Sequence, residues 1–475
     1  MSISITPTEQ KLRAIVAPKL RVSPEQVPLD KSLLEDLNLD SQADYDGKNM
    51  RIALITLGSE GDVRPFIALG LGLQAAGHDV LLVTHTSFEP LIHSRGLACF
   101  PVGNDPRDVL ENEMGQTWLG TGNNALRFFR QFSRIADSLI QQYMLDCWNA
   151  CQGTEAIVFS TIGLAVGYPI AEKLGVPFGM AAPYPLTPTH AFRSPYFPAL
   201  PASLPLSGFY NHLTHILSMQ IFWQLVRPAV NKARGEVLNL PSLSPNWPLS
   251  EMRRGRFTLL YCYSPHIVPP ASDWSSWNHV TGYWFLDRQA EWQPPPDLLD
   301  FLASGPPPVY VGFGSMNSHK PEEATEMVLQ ALARSKQRGI LLTGWGGLSN
   351  ADLPDSIFKI DSIPHDWLFP QMAAIVHHGG SGTTAASMRA GIPTVVIPFF
   401  GDQPFWGQRI FALGAGPRPI PRKRLSVEQL ATAIQAATCD EVMCTRSAAL
   451  GECIRKEDGV TQAVEVLHRH LHITV

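Results

Sequence analysis

A glycine-rich loop and a pair of polar residues follow two neighbouring apolar stretches near the C-terminal end of the chain. The loop, residues 377–383, reads His-His-Gly-Gly-Ser-Gly-Thr between a predicted strand (373–376) and a helix. Backbone N–H groups at a helix N-terminus attract anions, and a histidine beside them can donate to a phosphate oxygen. Asp402 and Gln403 follow the next predicted strand (394–397) and suit sugar hydroxyls. This combination predicts a nucleotide-sugar site.

Three other motifs accompany this loop. Residues 58–65 read GSEGDVRP and are followed by AAGHDV at 75–80, residues 312–316 read GFGSM, and residues 363–370 read IPHDWLFP. Together the four motifs resemble the signatures of family 1 glycosyltransferases, above all their sterol glucosyltransferase-like branch, which also resembles the glycopeptide-antibiotic glycosyltransferases. The resemblance extends from about residue 50 to the C-terminus. It implies the GT-B architecture, in which two doubly wound, Rossmann-like α/β domains face each other across a cleft.

The resemblance assigns a UDP-sugar donor to the second domain. The residues expected to bind its diphosphate are His377, Gly380, Ser381, Gly382, Thr383 and, from the opposite side, Gly314 and Ser315. The role of His378 is left open, and bracing the loop is one alternative. No Asp-x-Asp pair lies near these loops. We therefore expect transfer without a metal ion or another cofactor, with the helix dipole and the histidine stabilising the leaving diphosphate.

The uridine and the sugar of the donor are each expected to contact a further group of residues. By resemblance, Ile363, His365 and Trp367 lie in the loop that lines the uridine pocket, although the sequence leaves open whether Trp367 stacks on uracil or belongs to the core. Asp402 and Gln403 are the residues expected to bind the sugar hydroxyls. An alternative role for Asp402 is the N-cap of the helix that follows Gly401, and the two roles are compatible.

Asp62 is the predicted catalytic residue. It follows a glycine turn at the carboxyl end of the first predicted strand, where ligands gather in open α/β sheets. Plant and macrolide relatives have histidine at this position, whereas the sterol-like and glycopeptide branches have aspartate. As general base it would need burial, because an exposed carboxylate is a weak base. The alternative is an N-cap of the predicted helix 63–76, and the neighbouring Glu60 departs from the arginine common in the family.

The predicted reaction is inverting transfer of a hexose, with glucose expected, by single displacement. The acceptor should be an apolar alcohol such as a sterol, terpenoid, carotenoid or polyketide, because residues 183–205 are rich in proline and aromatics and an apolar helix is predicted for 208–234. Two alternatives remain. One is a UDP-sugar epimerase of the same architecture, and the other is a UDP-sugar- or lipid-binding protein without catalysis.

Composition excludes several other classes of protein. The 475 residues carry a net charge of −5 and only short basic runs, which argues against a nucleic-acid partner. The seven cysteines lack zinc-ligand spacing and indicate reduced thiols. The sequence has no signal core and no apolar run of about 20 residues. We expect a cytoplasmic protein, with peripheral membrane contact by residues 213–226 as an open alternative.

The predicted domain organisation has four parts. Residues 1–49 resemble the opening of an acyl carrier protein up to Ser41, but the helices that should follow are replaced by a polar linker, so we expect no carrier function. Residues 50–292 should form the acceptor domain and 297–455 the nucleotide-sugar domain, with a proline-rich linker between them. The last part, 456–475, should return as a helix to the first domain.

Overall fold

The computed structural model of the protein describes residues 49–103, 125–198, 206–253, 257–312, 321–342 and 353–471. The chain separates into two units, Met1–Met50 and Arg51–Val475, and nearly all described residues belong to the second. The predictions for the carrier-like segment, including Ser41, fall outside the described residues, as do those for Gly314 and Ser315.

The first half of the larger unit is built on a parallel sheet. The described strands are β1 (Arg51–Ile55), β2 (Asp79–His85), β3 (Ala98–Val102), β4 (Ala156–Ser160), β5 (Phe178–Ala182), β6 (Thr258–Tyr261) and β7 (Asn278–Val280). They are ordered β3-β2-β1-β4-β5-β6-β7. The central strands β1 and β4 are almost entirely buried, as expected for a sheet covered on both faces. The order reverses direction at β1, which places a crevice beside its carboxyl end.

Helices cover both faces of this sheet. Those described are α1 (Glu60–Ala75), α2 (Glu89–His93), α3 (Ala125–Ala150), α4 (Leu164–Leu174), α5 (Ser207–Leu238) and α6 (Leu249–Arg253). The two longest, α3 and α5, pack against each other, and Gln141 Nε2 donates to Glu236 Oε2 at 2.8 Å between them. The core beneath them includes Met144, Cys147 and Trp223, which are buried.

The second half contains a smaller parallel sheet. Its described strands are β8 (Val309–Gly312), β9 (Gly339–Leu342), β10 (Ile357–Ile360), β11 (Ala374–His377) and β12 (Thr394–Val396), in the order β10-β9-β8-β11-β12. The accompanying helices are α7 (Pro296–Ala303), α8 (Pro321–Ser335), α9 (His365–Leu368), α10 (Ser381–Ala390), α11 (Gln403–Ala412), α12 (Val427–Cys439) and α13 (Glu441–Arg455). As in the first sheet, the direction in which strands are added along the chain reverses, here between β8 and β11. The carboxyl ends of both sheets therefore offer a crevice for a ligand.

The last described helix, α14 (Gly459–Leu471), packs on the first half of the unit. It lies against α1 so closely that a Cβ atom on Gly72 would collide with Val460 Cγ1. His468 Nε2 lies 2.8 Å from His78 Nε2 at the other end of this contact. The C-terminal helix thus links the end of the chain to the first sheet.

Several element boundaries differ from the sequence predictions. Helix α1 begins at Glu60 rather than at residue 63, because Ser59 is its N-cap. The sequence predicts a strand over residues 280–283, whereas the strand β7 covers Asn278–Val280. Strand β3 and helix α3 were not predicted. In β3 the sequence carries Pro101, which normally argues against a strand but is tolerated here because β3 lies at the sheet edge.

The structure also bears on the state of the cysteines and on membrane-spanning helices. All seven cysteines are free thiols. In the part of the chain that the structure describes, none of the helices combines the length and apolar character needed to cross a bilayer.

Candidate active site

A large cleft of about 2500 Å³ lies between the two sheets. Its walls include the N-terminal turn of α1 from the first half and the N-terminal turn of α10 from the second. These turns nearly touch, because a Cβ atom on Gly382 would lie 3.8 Å from the Cα of Gly61. Two helix N-termini, each carrying partial positive charge, therefore converge on one side of the cleft.

Asp62 lies on the cleft wall, held by a tight turn after β1. The turn requires glycine at position 58, since Gly58 has φ +126° and a Cβ there would lie 2.6 Å from Asp62 Oδ2. Asp62 Oδ2 accepts hydrogen bonds from the backbone N–H and the hydroxyl of Ser59, both at 2.9 Å. The prediction that Asp62 could be the N-cap is wrong, because Ser59 occupies that position and Asp62 is the N3 residue of a capping box.

This arrangement leaves the second carboxylate oxygen of Asp62 for a ligand. Within the described part of the chain, both hydrogen bonds to the carboxylate reach Oδ2 and none reaches Oδ1. Burial raises the pKa of Asp62 above its ordinary value, and the two bonds from Ser59 lower it by a smaller amount. The carboxylate is therefore a stronger base than one in water, which is the condition that the sequence analysis set for it.

Glu60 is engaged with a neighbour on the same helix. Its Oε1 accepts from Arg64 Nη1 at 2.6 Å, and both residues line the cleft. Glu60, which replaces the arginine common in the family, thus pairs with Arg64 one turn further along α1. Their charges offset each other at the cleft wall.

The two histidines of the glycine-rich loop differ in their position relative to the cleft. His377 is fully buried at the end of β11 and does not line the cleft, whereas His378 does. The Nδ1 atom of His377 accepts from the N–H of Gly379 at 2.9 Å, which stabilises the turn. The Nε2 atom of His377 and the Nδ1 atom of His378 are both buried and make no hydrogen bond within the described residues. Of the two rings only His378 lines the cleft, and the contact of His377 with a diphosphate stays a prediction.

The rest of the loop does face the cleft. Gly380, Ser381, Gly382 and Thr383 line it, with Gly380 at the N-cap of α10. The ring of His378 lies against Gly380, where an added Cβ would be 2.5 Å from its Nε2. Burial lowers the pKa of His378 to about 4, so the ring is neutral near pH 7. A neutral histidine and free helical N–H groups together can bind an anion by donating hydrogen bonds.

Asp402 and Gln403 also line the cleft, as does Phe400. Asp402 stands at the N-cap position of α11, but its side chain does not cap the helix, because Oδ2 accepts from Trp406 Nε1 at 2.7 Å. Burial, with a smaller contribution from the nearby charge of Asp62, raises the pKa of Asp402 to about 6. The Oε1 atom of Gln403 accepts from the N–H groups of residues 399 and 400, which braces the turn rather than leaving this oxygen for a sugar.

The predicted uridine pocket is only partly as expected. Ile363 and His365 line the cleft, and the ring of His365 stacks on Phe369 with centroids 4.2 Å apart. Trp367 does not line the cleft and packs beside Trp292, with ring centroids 5.3 Å apart. Trp292 is itself a lining residue. The tryptophan that lines this end of the cleft is therefore Trp292 of the interdomain connection and not Trp367.

Comparison with known proteins identifies the family. Residues 52–193 match the model of the glycosyltransferase family 28 N-terminal domain, and residues 328–462 match the erythromycin biosynthesis protein CIII-like C-terminal domain. A sterol 3-beta-glucosyltransferase of Arabidopsis thaliana is 37% identical over 431 residues, which cover 89% of this chain and 68% of the relative. The chain belongs to the sterol glucosyltransferase-like branch of the family 1 glycosyltransferases.

Fungal members of this branch are much longer than the chain. A sterol 3-beta-glucosyltransferase of Cryptococcus neoformans is 38% identical over 446 residues, but this match covers 89% of the chain and only 27% of the relative. The shared region therefore lies within a larger protein in that fungus.

Solved structures confirm the GT-B fold that the sequence predicted for this family member. The glycosyltransferase of kitacinnamycin superposes with a TM-score of 0.64 at 17% identity, covering 89% of this chain and 99% of the other. At this level of identity the likeness concerns the fold alone.

One aromatic pair of this glycosyltransferase was not singled out by the sequence analysis. Tyr184 and Tyr196 line the cleft and contact each other edge to face, with centroids 5.6 Å apart. Both interact electrostatically with Asp62 and Asp402, and burial raises the pKa of Tyr184 to about 12. The available signal was their position, because the proline- and aromatic-rich segment begins where β5 ends, at the ligand-binding edge of the sheet.

Proposed function

We propose that this chain transfers a hexose, with glucose expected, from a UDP-sugar to the hydroxyl group of an apolar acceptor of the sterol class. One observation carries the proposal: Asp62 and the N-terminal turn of α10 line the same cleft, within reach of a single donor and acceptor. A base and an anion-binding loop are what single-displacement glycosyl transfer requires. The names of the curated relatives support glucose and a sterol 3-hydroxyl.

The diphosphate would be bound at the N-terminus of α10. The backbone N–H groups of residues 380–383 lie at the N-terminus of α10, where they can donate to an anion. His378, which lines the cleft, adds a side-chain donor beside them. His377 would support the loop from behind. We retain Gly314 and Ser315 as expected contacts on the opposite side. In this arrangement fixed dipoles stabilise the charge that builds on the leaving diphosphate, and we expect activity without a metal ion.

Asp62 would act as the general base. Its Oδ1 would take the proton of the acceptor hydroxyl as that oxygen attacks the anomeric carbon, while the bond from this carbon to the diphosphate oxygen breaks. Attack from the side opposite the leaving group inverts the anomeric centre, so an α-linked donor yields a β-glycoside. Asp402 would bind sugar hydroxyls through its available carboxylate oxygen, and Gln403 would position the loop that carries it.

The acceptor would lie in the first half of the cleft. The wall there is formed by apolar and aromatic side chains, among them Ile162, Leu164, Met180, Tyr184 and Phe222. Such a surface favours a rigid apolar body with one hydroxyl directed at the base. The uridine would occupy the opposite end near Ile363 and His365, where we propose Trp292, in place of Trp367, as the aromatic that contacts the base.

Radiolabelled donor tests this proposal against its alternatives. The full chain would be incubated with UDP-[14C]glucose and a panel of sterols, triterpenoids and long-chain alcohols, with and without EDTA. We expect label in a lipid-extractable β-glucoside, formed equally well in EDTA. Label in an epimerised sugar nucleotide would support the epimerase alternative. Binding of UDP-glucose without product would support a non-catalytic protein.

A further inference from the structure

Helix α5 exposes a row of large apolar side chains that nothing in the described structure covers. The exposed apolar stripe consists of Leu206, just before the helix, and Phe209, Leu213, Leu217 and Ile221. Their exposed fractions range from 36% to 67%. Steps of three and four residues place these side chains on one side of the helix. The other side is buried on the core of the first half.

The stripe runs directly into the cleft. Ile221 and its neighbour Phe222 are lining residues of the cleft and are also about half exposed. From Leu206 to Ile221 the stripe extends over roughly 22 Å at the usual rise of a helix. An apolar path on the outer surface thus continues into the part of the cleft proposed to bind the acceptor.

Hydrogen bonds fix the start of α5 on the proline-rich segment. Tyr210 donates from its hydroxyl to the carbonyl of Pro198 at 2.7 Å, and Asn211 Nδ2 donates to the carbonyl of His190 at 3.0 Å. The exposed stripe is therefore presented by an anchored helix. A row of this length on an anchored helix exceeds the isolated apolar residues normal on protein surfaces.

The charge pattern of this region points to one kind of partner. Between Glu172 and Glu236 the sequence contains no Asp or Glu over 63 residues. The whole chain has 42 acidic residues among 475, so a stretch of this length would be expected to carry five or six. The same stretch contains five Lys and Arg, of which Arg234 is buried in an ion pair with Glu172. An apolar surface without negative charge suits an anionic lipid surface.

We propose that the exposed apolar stripe docks on the surface of a lipid bilayer and brings the rim of the cleft to the lipid phase. Leu213 and Leu217 would enter the boundary between headgroups and acyl chains, with Phe209 and Tyr210 beside them, where aromatic residues are favoured. An apolar acceptor could then move from the bilayer past Ile221 and Phe222 without crossing water. The docking stands on the surface alone, whereas the route for the acceptor rests on the proposed function.

A double substitution and a matched control test the docking. Leu213→Gln/Leu217→Gln removes the centre of the stripe without changing a cleft-lining residue. The control Leu299→Gln/Val442→Gln replaces two apolar residues of the second half that are at least as exposed. Co-sedimentation would be measured with vesicles of phosphatidylcholine, phosphatidylserine and sterol. We expect the stripe variant to lose roughly tenfold in vesicle affinity and the control to bind like the wild type. Calorimetry with UDP-glucose should give unchanged donor affinity in both.

Other results would overturn the docking. The first is wild-type protein that does not sediment with vesicles, and the second is equal vesicle binding by the stripe variant and the control variant. The third is a dimer of the wild type, detected by light scattering, that is lost only in the stripe variant. The fourth is vesicle binding that appears only after deletion of residues 1–48. The third would assign the stripe to a second copy and the fourth to the N-terminal segment. Failure of the proposed function is distinguishable, because it would appear as absent transfer to a water-soluble sterol analogue while vesicle binding persists.

Discussion

Ser59 donates two hydrogen bonds to Asp62, and both reach the same carboxylate oxygen at 2.9 Å. One comes from the backbone N–H and belongs to the capping of α1, and the other comes from the hydroxyl. Both bonds lower the pKa of Asp62, while burial raises it by more. The residue that begins the helix therefore also sets how basic the proposed catalytic carboxylate can be.

Ser59→Ala should move the acid limb of the pH–activity profile. Asp62 must be ionised to accept a proton, so activity falls as the pH drops through its pKa. Loss of the hydroxyl removes an interaction that lowers this pKa, so the limb should shift to higher pH. The profile of kcat/KM against pH measures the shift. Ser426→Ala, at the N-cap of the distant α12, is the control: it should cost a similar ~1 kcal/mol in stability and leave the limb in place.

Asp62→Asn should abolish most turnover and leave donor binding near the wild-type value. Asparagine keeps the size and can still accept from Ser59, but it cannot take the acceptor proton. The expected loss in kcat is about 10²- to 10⁴-fold, the usual contribution of a general base. Glu60→Gln removes a carboxylate from the same helical turn and should retain most activity, because Glu60 pairs with Arg64. Comparable turnover in Asp62→Asn and wild type would refute the assignment.

His378→Ala should weaken UDP binding more than His377→Ala does. The His378 ring lines the cleft, and a hydrogen bond to a charged phosphate is worth about 1.5–3 kcal/mol, or roughly 10- to 100-fold in affinity. His377 is fully buried behind the loop, so its replacement should mainly lower thermal stability. Calorimetry with UDP and thermal unfolding separate the two effects. The opposite order of affinities would return the diphosphate contact to His377.

Gly380→Ala should weaken UDP binding by displacing His378. Gly380 has φ −61°, so alanine strains no backbone angle, but its Cβ would lie 2.5 Å from His378 Nε2. The ring must move away from the site. If the effect operates through His378, the double variant Gly380→Ala/His378→Ala should bind UDP no more weakly than His378→Ala alone. Additive losses in this cycle would mean that Gly380 contributes by a separate route.

The sequence predicted the fold and the ligand-binding edge well, because both depend on patterns along the chain. An apolar run bounded by glycine at residues 51–56 identified β1, and the glycine turns placed Asp62 and the loop 380–383 at strand ends. Both features are local. Strand β3 escaped prediction because only its edge position makes Pro101 acceptable, and an edge position is a tertiary fact.

Side-chain direction was much harder to predict. Adjacent residues of a strand point to opposite faces, so the sequence could not decide which of His377 and His378 enters the cleft. The same limit applies to Trp367 and Trp292, which are far apart in sequence and contact each other. Gln403 has the right chemistry for a sugar, yet its oxygen binds two backbone N–H groups of its own turn. Such competition becomes visible only when the turn is folded.

Asp402→Asn should stabilise the protein at alkaline pH. The folded-state pKa of Asp402 is about 6, above the ordinary value of 3.8, so ionised Asp402 is less favourable in the folded than in the unfolded chain. Its contribution to stability is therefore full below pH 3.8 and is lost as the pH rises through about 6. Asparagine carries no charge and can still accept from Trp406 Nε1. We expect a gain on the order of 2–3 kcal/mol at pH 8.

Thermal unfolding between pH 4 and pH 8 measures this effect, with the difference between variant and wild type shrinking toward the acid end. Asp355→Asn, which replaces an exposed carboxylate of the second half, is the matched control. Asp62 contributes to the raised pKa of Asp402, so the gain should be smaller in an Asp62→Asn background. An Asp402→Asn variant that is less stable than wild type at pH 8 would mean that the ionised carboxylate has a compensating partner, and that its burial is not the dominant influence on its titration.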